Sequence, residues 1–143
     1  MKTDMHNSVR AVTAIKPVAL TTVAGVSGKI IDRKGYNGVE MVVSYGEITA
    51  TDATLTFTLL EGDATGSMTS VANADLLGTE VLASVAAAAT RTSGTSKNVT
   101  KRLGYKGNKR YVQPKVSSTV TAATVISAQA ILHTPDSAPT SNP

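Results

Sequence analysis

Ala53-Thr54-Leu55-Thr56-Phe57-Thr58-Leu59 alternates without a break, with Leu55, Phe57 and Leu59 on one face and threonines on the other. Successive side chains of an extended strand point to opposite faces. The run therefore predicts an antiparallel strand with one face on a core and one in water. The preceding run repeats the pattern through Val39, Met41, Val43 and Tyr45, and Gly46 to Asp52 separates the two, suggesting a hairpin or meander. A third β-rich run, Thr124 to Leu132, sets Val125, Ser127, Gln129 and Ile131 against Ile126, Ala128, Ala130 and Leu132. Shorter candidates are Val9 to Ile15, Val18 to Val23, Lys29 to Asp32 and Lys109 to Val116. Many short strands punctuated by turn residues predict an all-β fold. The expected form is an antiparallel β-sandwich, jelly-roll-like, in a single domain with at most one short helix.

The helix, if formed, belongs in Thr79 to Ala89, where alanine propensity is highest, although alternation through Val81, Ala83 and Val85 fits a strand equally well. Gly62 to Thr69 and Thr90 to Ser96 read as loops, and Gly25-Val26-Ser27-Gly28-Lys29 as a turn between two strands. Residues 1–7 are expected to form a flexible arm, 8–133 the sandwich, and 134–143 a disordered Pro/Ser-rich tail.

Hydrophobic residues make up 41% of the 143-residue chain but aromatics only 3%, and much of the apolar share is alanine. Burial stabilises in proportion to apolar area, so small side chains give a thin core, which oligomerisation or docking on a larger body can offset. The net charge of +4 hides an asymmetry: residues 1–90 carry six Lys/Arg against nine Asp/Glu, and residues 91–143 carry eight against the single Asp136. A chain divided in this way favours an acidic partner surface, or nucleic acid, for its C-terminal half. With no cysteine, disulfides and zinc–thiolate sites are excluded. No apolar run is long enough to span a membrane, and Met1 to Arg10 lacks the apolar region of a signal peptide, so synthesis is expected in the cytoplasm.

Catalytic constellations fail one by one. His6 and His133 lie near opposite ends, with no nucleophile elbow to serve them. Five aromatics are too few to line a sugar cleft around an acid pair, and Glu61 and Asp63 lack the patterning of a calcium loop. The chain is therefore read as non-enzymatic and without a cofactor. What stands out is Lys97 to Val112, with six basic residues, no acid and two tyrosines. Lys97, Lys101, Arg102, Tyr105, Lys106, Lys109, Arg110 and Tyr111 are the candidate partner-binding residues. Tyr and Arg anchor protein interfaces, so protein contact ranks ahead of nucleic-acid binding along 97–115. Arg33-Lys34-Gly35-Tyr36-Asn37-Gly38 echoes Arg102-Leu103-Gly104-Tyr105-Lys106-Gly107, and both read as turns at strand entrances.

The order of several pieces resembles small structural proteins of tailed bacteriophages. The pieces are Lys34-Gly35-Tyr36 before Val39 to Tyr45, then Ala53 to Asp63 and Val71 to Gly78. Gly104 to Val112 and the apolar run Val125 to Leu132 complete them. That family, the capsid decoration or cement proteins, implies a jelly-roll-like fold and no enzyme chemistry. It also implies a homo-oligomer, dimer or trimer, seated on the outside of the virion and clamping subunits of the major capsid protein. A head–tail connector or tail-completion protein is the alternative within the same class.

Overall fold

The computed structural model describes residues 4–86, 91–92, 97–121 and 124–140. The chain forms two packed antiparallel sheets. The first has the order β1-β10-β4-β8-β7, built from Val9–Leu20, Thr124–Pro135, Tyr36–Tyr45, Val99–Tyr105 and Leu76–Leu77. The second has the order β2-β9-β5-β6, built from Val26–Ser27, Tyr111–Ser118, Leu55–Ala64 and Ser67–Ser70, with β3 (Ile31–Asp32) also paired to β9. A 3-10 turn at Asn73–Asp75 and one short helix, α1 (Glu80–Ala83), complete the described elements. The expected all-β antiparallel sandwich with one short helix is the fold observed. No described helix is long and apolar enough to cross a membrane.

Period-two patterning places the core. Val39, Met41, Val43 and Tyr45 of β4 and Ile126, Ala128, Ala130 and Leu132 of β10 point inward from the first sheet. They meet Leu55, Phe57 and Leu59 of β5 and Val112 and Val116 of β9 from the second. Each alternating run thus presents its apolar set to the other sheet. β10 continues to Pro135, past the expected end at Leu132. Beyond it the Asp136 N–H bonds Gly35 O, and Thr140 bonds Asn7 O through its N–H and Val9 O through its hydroxyl.

Several local expectations are corrected. β4 and β5 do not form a hairpin: β4 pairs with β10 and β8, β5 with β9 and β6, so the connection between them crosses from one sheet to the other. Both runs are amphipathic with the same period, and alternation alone does not say which strand lies beside which. Val9 to Ile15 and Val18 to Leu20 are parts of one strand, β1, carried past Pro17 by register shifts between Thr13, Ile15 and Val18, and the strand stops short of the expected Val23. A bulge is where a strand tolerates proline. Gly62 to Thr69 is a hairpin, because β5 runs on to Ala64 and turns into β6. Val26–Ser27 is itself a short strand on β9. Gly25 opens it at φ +78, where a Cβ would overlap the Val116 carbonyl. Of the alanine-rich stretch, Glu80–Ala83 is helical, capped by the Thr79 hydroxyl accepting from Leu82 N, and Val85 bridges to Leu55. Ala87 to Thr90, and Ser93 to Ser96 of the expected loop, lie outside the described residues.

Candidate functional site

The two echoed turns lie against each other. β3 pairs with the start of β9, and Arg33 N donates to Arg110 O, bringing the first turn onto the second. The buried Arg33 guanidinium donates to Gly107 O at 2.6 Å and Tyr36 O at 3.2 Å, and also to Lys109 O. It also lies 5.2 Å from the centroid of the Tyr105 ring. Tyr105 is 1% exposed. Its hydroxyl donates to Glu61 Oε2 at 2.5 Å and accepts from Lys109 N at 3.0 Å. Burial, with the Glu61 carboxylate second, pushes the Tyr105 phenol well above its ordinary value, so it stays a neutral donor. Arg33, Tyr105 and Glu61 thus form a buried polar network that fixes the Gly-Tyr-Lys-Gly turn.

Much of the basic segment is neutralised by the chain's own acids. Lys97 Nζ lies 2.8 Å from Glu47, and Lys109 Nζ 2.6 Å from Asp63. Arg110 grips Asp32 with both arms of the guanidinium, at 3.1 and 2.7 Å, and sits 5.0 Å from the Tyr111 ring centroid. The hydrogen bond from Arg110 holds the Asp32 carboxyl below the usual range, and that from Lys109 does the same for Asp63. Glu61 and Asp63 are therefore engaged by Tyr105 and Lys109. The sequence asymmetry between an acidic first part and a basic second part is thus folded back on itself, by Lys109 and Arg110 at the paired turns and by Lys97 at the other end of β8.

The eight predicted site residues do not form one stripe. Tyr105 faces the core, which corrects its placement among surface contacts. Lys109, Arg110 and Tyr111 belong to the paired turn, and Lys106 projects from it. Lys101 and Arg102 lie elsewhere, on β8, and line an open groove of about 610 Å³ with Glu40, Leu77, Gly78, Leu82 and Thr100. Arg102 is only loosely tied to Glu40, at 3.8 Å, with 81% of its side chain exposed. Two of the lining residues are exposed and apolar, Leu77 at 52% and Leu82 at 65%, and Val81, next to Leu82 on α1, is 81% exposed.

The local structure explains this exposure. α1 is held from both sheets: the Tyr45 hydroxyl donates to Ala83 O at 2.8 Å, and Glu80 Oε1 accepts from Leu59 N at 2.8 Å. The Ser84 hydroxyl accepts from Phe57 N at 2.9 Å. With Glu80, Ala83 and Ser84 turned to the sheets, Val81 and Leu82 face outward. Sequence reading missed this corner, though a signal was present. The apolar doublets Leu76-Leu77 and Val81-Leu82 interrupt alternation, and a two-residue strand or one-turn helix cannot bury both members. The groove's described lining combines an apolar centre, a basic rim and one acid, with no aromatic ring.

Neither a protein-family model nor a curated protein matches the chain. The fold is similar to that of several solved structures. One is the Clostridium thermocellum xylanase 10B CBM22-1–GH10 modules complexed with xylohexaose, at 11% identity and TM-score 0.52, covering 96% of this chain and 28% of that one. A second is the PBSX exported protein XepA, at 17% identity and TM-score 0.50, covering 87% of this chain and 37% of that one. A third is the SPBc2 prophage-derived protein YomS, at 11% identity and TM-score 0.48, covering 88% and 93%. The chain spans about a third of the length of the first two. At these identities the likeness is one of fold.

Proposed function

We propose that this chain is a non-enzymatic structural protein of a tailed-phage virion, docking on the outside of the capsid and stabilising contacts between major capsid subunits. The observation that carries the reading is the corner between β7, β8 and α1, where Leu77 and Leu82 stand exposed beside Lys101 and Arg102 and Val81 is exposed next to Leu82 on α1. Clustered exposed apolar side chains with a charged rim are the composition of a protein contact. The family resemblance in the sequence supplies the capsid as partner. The likeness to XepA and to the xylanase modules is one of fold and adds no partner. In this reading the protein acts as a dimer or trimer, and many copies, each burying a modest interface, reinforce the shell through avidity.

Internal pairing of Lys97, Lys109 and Arg110 leaves fewer cations for phosphates than the sequence offers, and this ranks nucleic-acid binding lower. The decisive experiment is quantitative mass spectrometry of purified virions. A copy number comparable to that of the major capsid subunit is expected. A handful of copies would move the protein to the head–tail junction, and its absence from particles would overturn the virion reading.

A further inference from the structure

We propose that the edge of β8 from Val99 to Leu103, unpaired among the described residues, receives an extended, acidic segment of a partner protein as an added strand, with Leu77 and Leu82 taking its apolar side chains. The inference rests on reading this corner as a docking surface and gives that docking a mode.

The two sheets treat their edges differently on this side of the sandwich. Along β5, the N–H groups of Leu55, Phe57 and Leu59 are each occupied by the Thr79-to-Val85 segment: Leu55 N by Val85 O, Phe57 N by Ser84 Oγ, Leu59 N by Glu80 Oε1. That edge is closed. On β8, the two-residue β7 pairs with Tyr105 and Gly104 only. From Val99 to Leu103, β8 pairs among the described residues with β4 alone. An unpaired edge presents a row of backbone donors and acceptors and templates a further strand. About five residues of a partner, some 17 Å of extended chain, would continue the line that β7 begins.

Charge selects the occupant. Lys101 and Arg102 line the groove against the single acid Glu40, and among the described residues Lys101 has no ion-pair partner. A second copy pairing edge to edge would bring like charges together, which costs stability across a sheet and argues against self-association here. An acidic strand sets its carboxylates opposite Arg102 on the outer face or Lys101 on the inner one, according to register. Nucleic acid is the poorer fit, because the groove offers no ring for base stacking and its centre is apolar.

The test is an NMR titration of the full chain with a short alternating Glu–Val peptide. An alternating Lys–Val peptide and oligothymidylate serve as the other two probes. The expected result is shift changes centred on Val99 to Leu103, Leu77 and Leu82, with the Lys–Val peptide weaker by about tenfold or more. The double variant Lys101→Glu/Arg102→Glu should reverse that preference. Changes centred elsewhere, no discrimination between the peptides, or oligothymidylate binding these amides as tightly as the Glu–Val peptide would each overturn the proposal. Binding to purified phage heads separates it from the virion reading. If wild type and the double variant bind heads equally, the β8 edge is not the docking site and the proposal falls while the virion reading stands. If the chain ignores heads yet takes the Glu–Val peptide at β8, the virion reading falls and the edge site stands.

Discussion

Replacing Tyr105 by phenylalanine deletes one oxygen from the buried network and leaves two groups without a partner. The Glu61 carboxylate, 9% exposed, loses the phenol at 2.5 Å, and Lys109 N loses its acceptor at 3.0 Å. A hydrogen bond to a charged group contributes about 1.5–3 kcal/mol, and stranding a buried donor adds about 1 kcal/mol more. Tyr105→Phe should therefore destabilise the protein by about 3 kcal/mol, which for a chain of this size lowers Tm by about 10 °C. Urea unfolding with the slope held constant reads the difference directly. Tyr111→Phe is the internal control, since the half-exposed Tyr111 makes no hydroxyl hydrogen bond to the described residues. It should stay within about 0.5 kcal/mol of wild type. Pairing Tyr105→Phe with Glu61→Leu tests the mechanism. If the carboxylate and phenol act as a unit, the double variant is less damaged than the sum of the singles by about 1 kcal/mol or more. A Tyr105→Phe protein within about 0.5 kcal/mol of wild type, or an additive cycle, would refute the argument that this network fixes the turn.

Other positions give sharp contrasts. Arg33→Met should cost about 3 kcal/mol in chemical denaturation by orphaning Gly107 O and Tyr36 O, and Arg33→Lys should rescue little because an ammonium cannot reproduce the planar fork. Gly25→Ala, facing the Val116 carbonyl at positive φ, should cost more than about 2 kcal/mol. Gly35→Ala, at φ +86 in open space, should cost only about 1 kcal/mol, as thermal melts of the pair will show. Asp32 titrates below its unfolded value, so its contribution is complete above the unfolded carboxyl pKa of about 4 and fades as pH falls through the lower folded one. Asp32→Asn should flatten that acid limb in a stability–pH profile and leave the neutral limb unchanged.

The strands that were legible were those whose alternation is apolar against polar: Leu55, Phe57 and Leu59, or Ile126 through Leu132, need only their period to be placed. β8 was not legible. Its outward residues are Thr100, Arg102 and Gly104, and Lys101 falls on the inward register at the open end, so only Val99, Leu103 and Tyr105 carry the signal. A strand read as a basic stripe was a strand all the same. Cations were legible as cations, but their partners were not: Asp32 and Arg110 are 78 positions apart, Lys109 and Asp63 46. Charge counted along the chain becomes meaningful only once the sheets bring such positions together. The exposed corner depends on a similar non-local fact, the shortness of β7 beside β8.

The pairing of β1 with β10 sets the order in which the protein can be made. Val9 lies opposite His133, so β1 leaves the ribosome long before the strand it pairs with. At about 5–20 residues per second, that delay is roughly 6–25 s. Through it, β1 has no neighbour in its sheet, and β4 has only β8 once that strand emerges. Contacts between positions so distant in the chain also slow folding after release, placing closure of the first sheet on the millisecond-to-second scale rather than the microsecond one. During that interval the nascent sandwich shows its neighbours in the cell a second open edge, on β4, and whatever keeps it from pairing wrongly there must act before residue 133 is free of the exit tunnel.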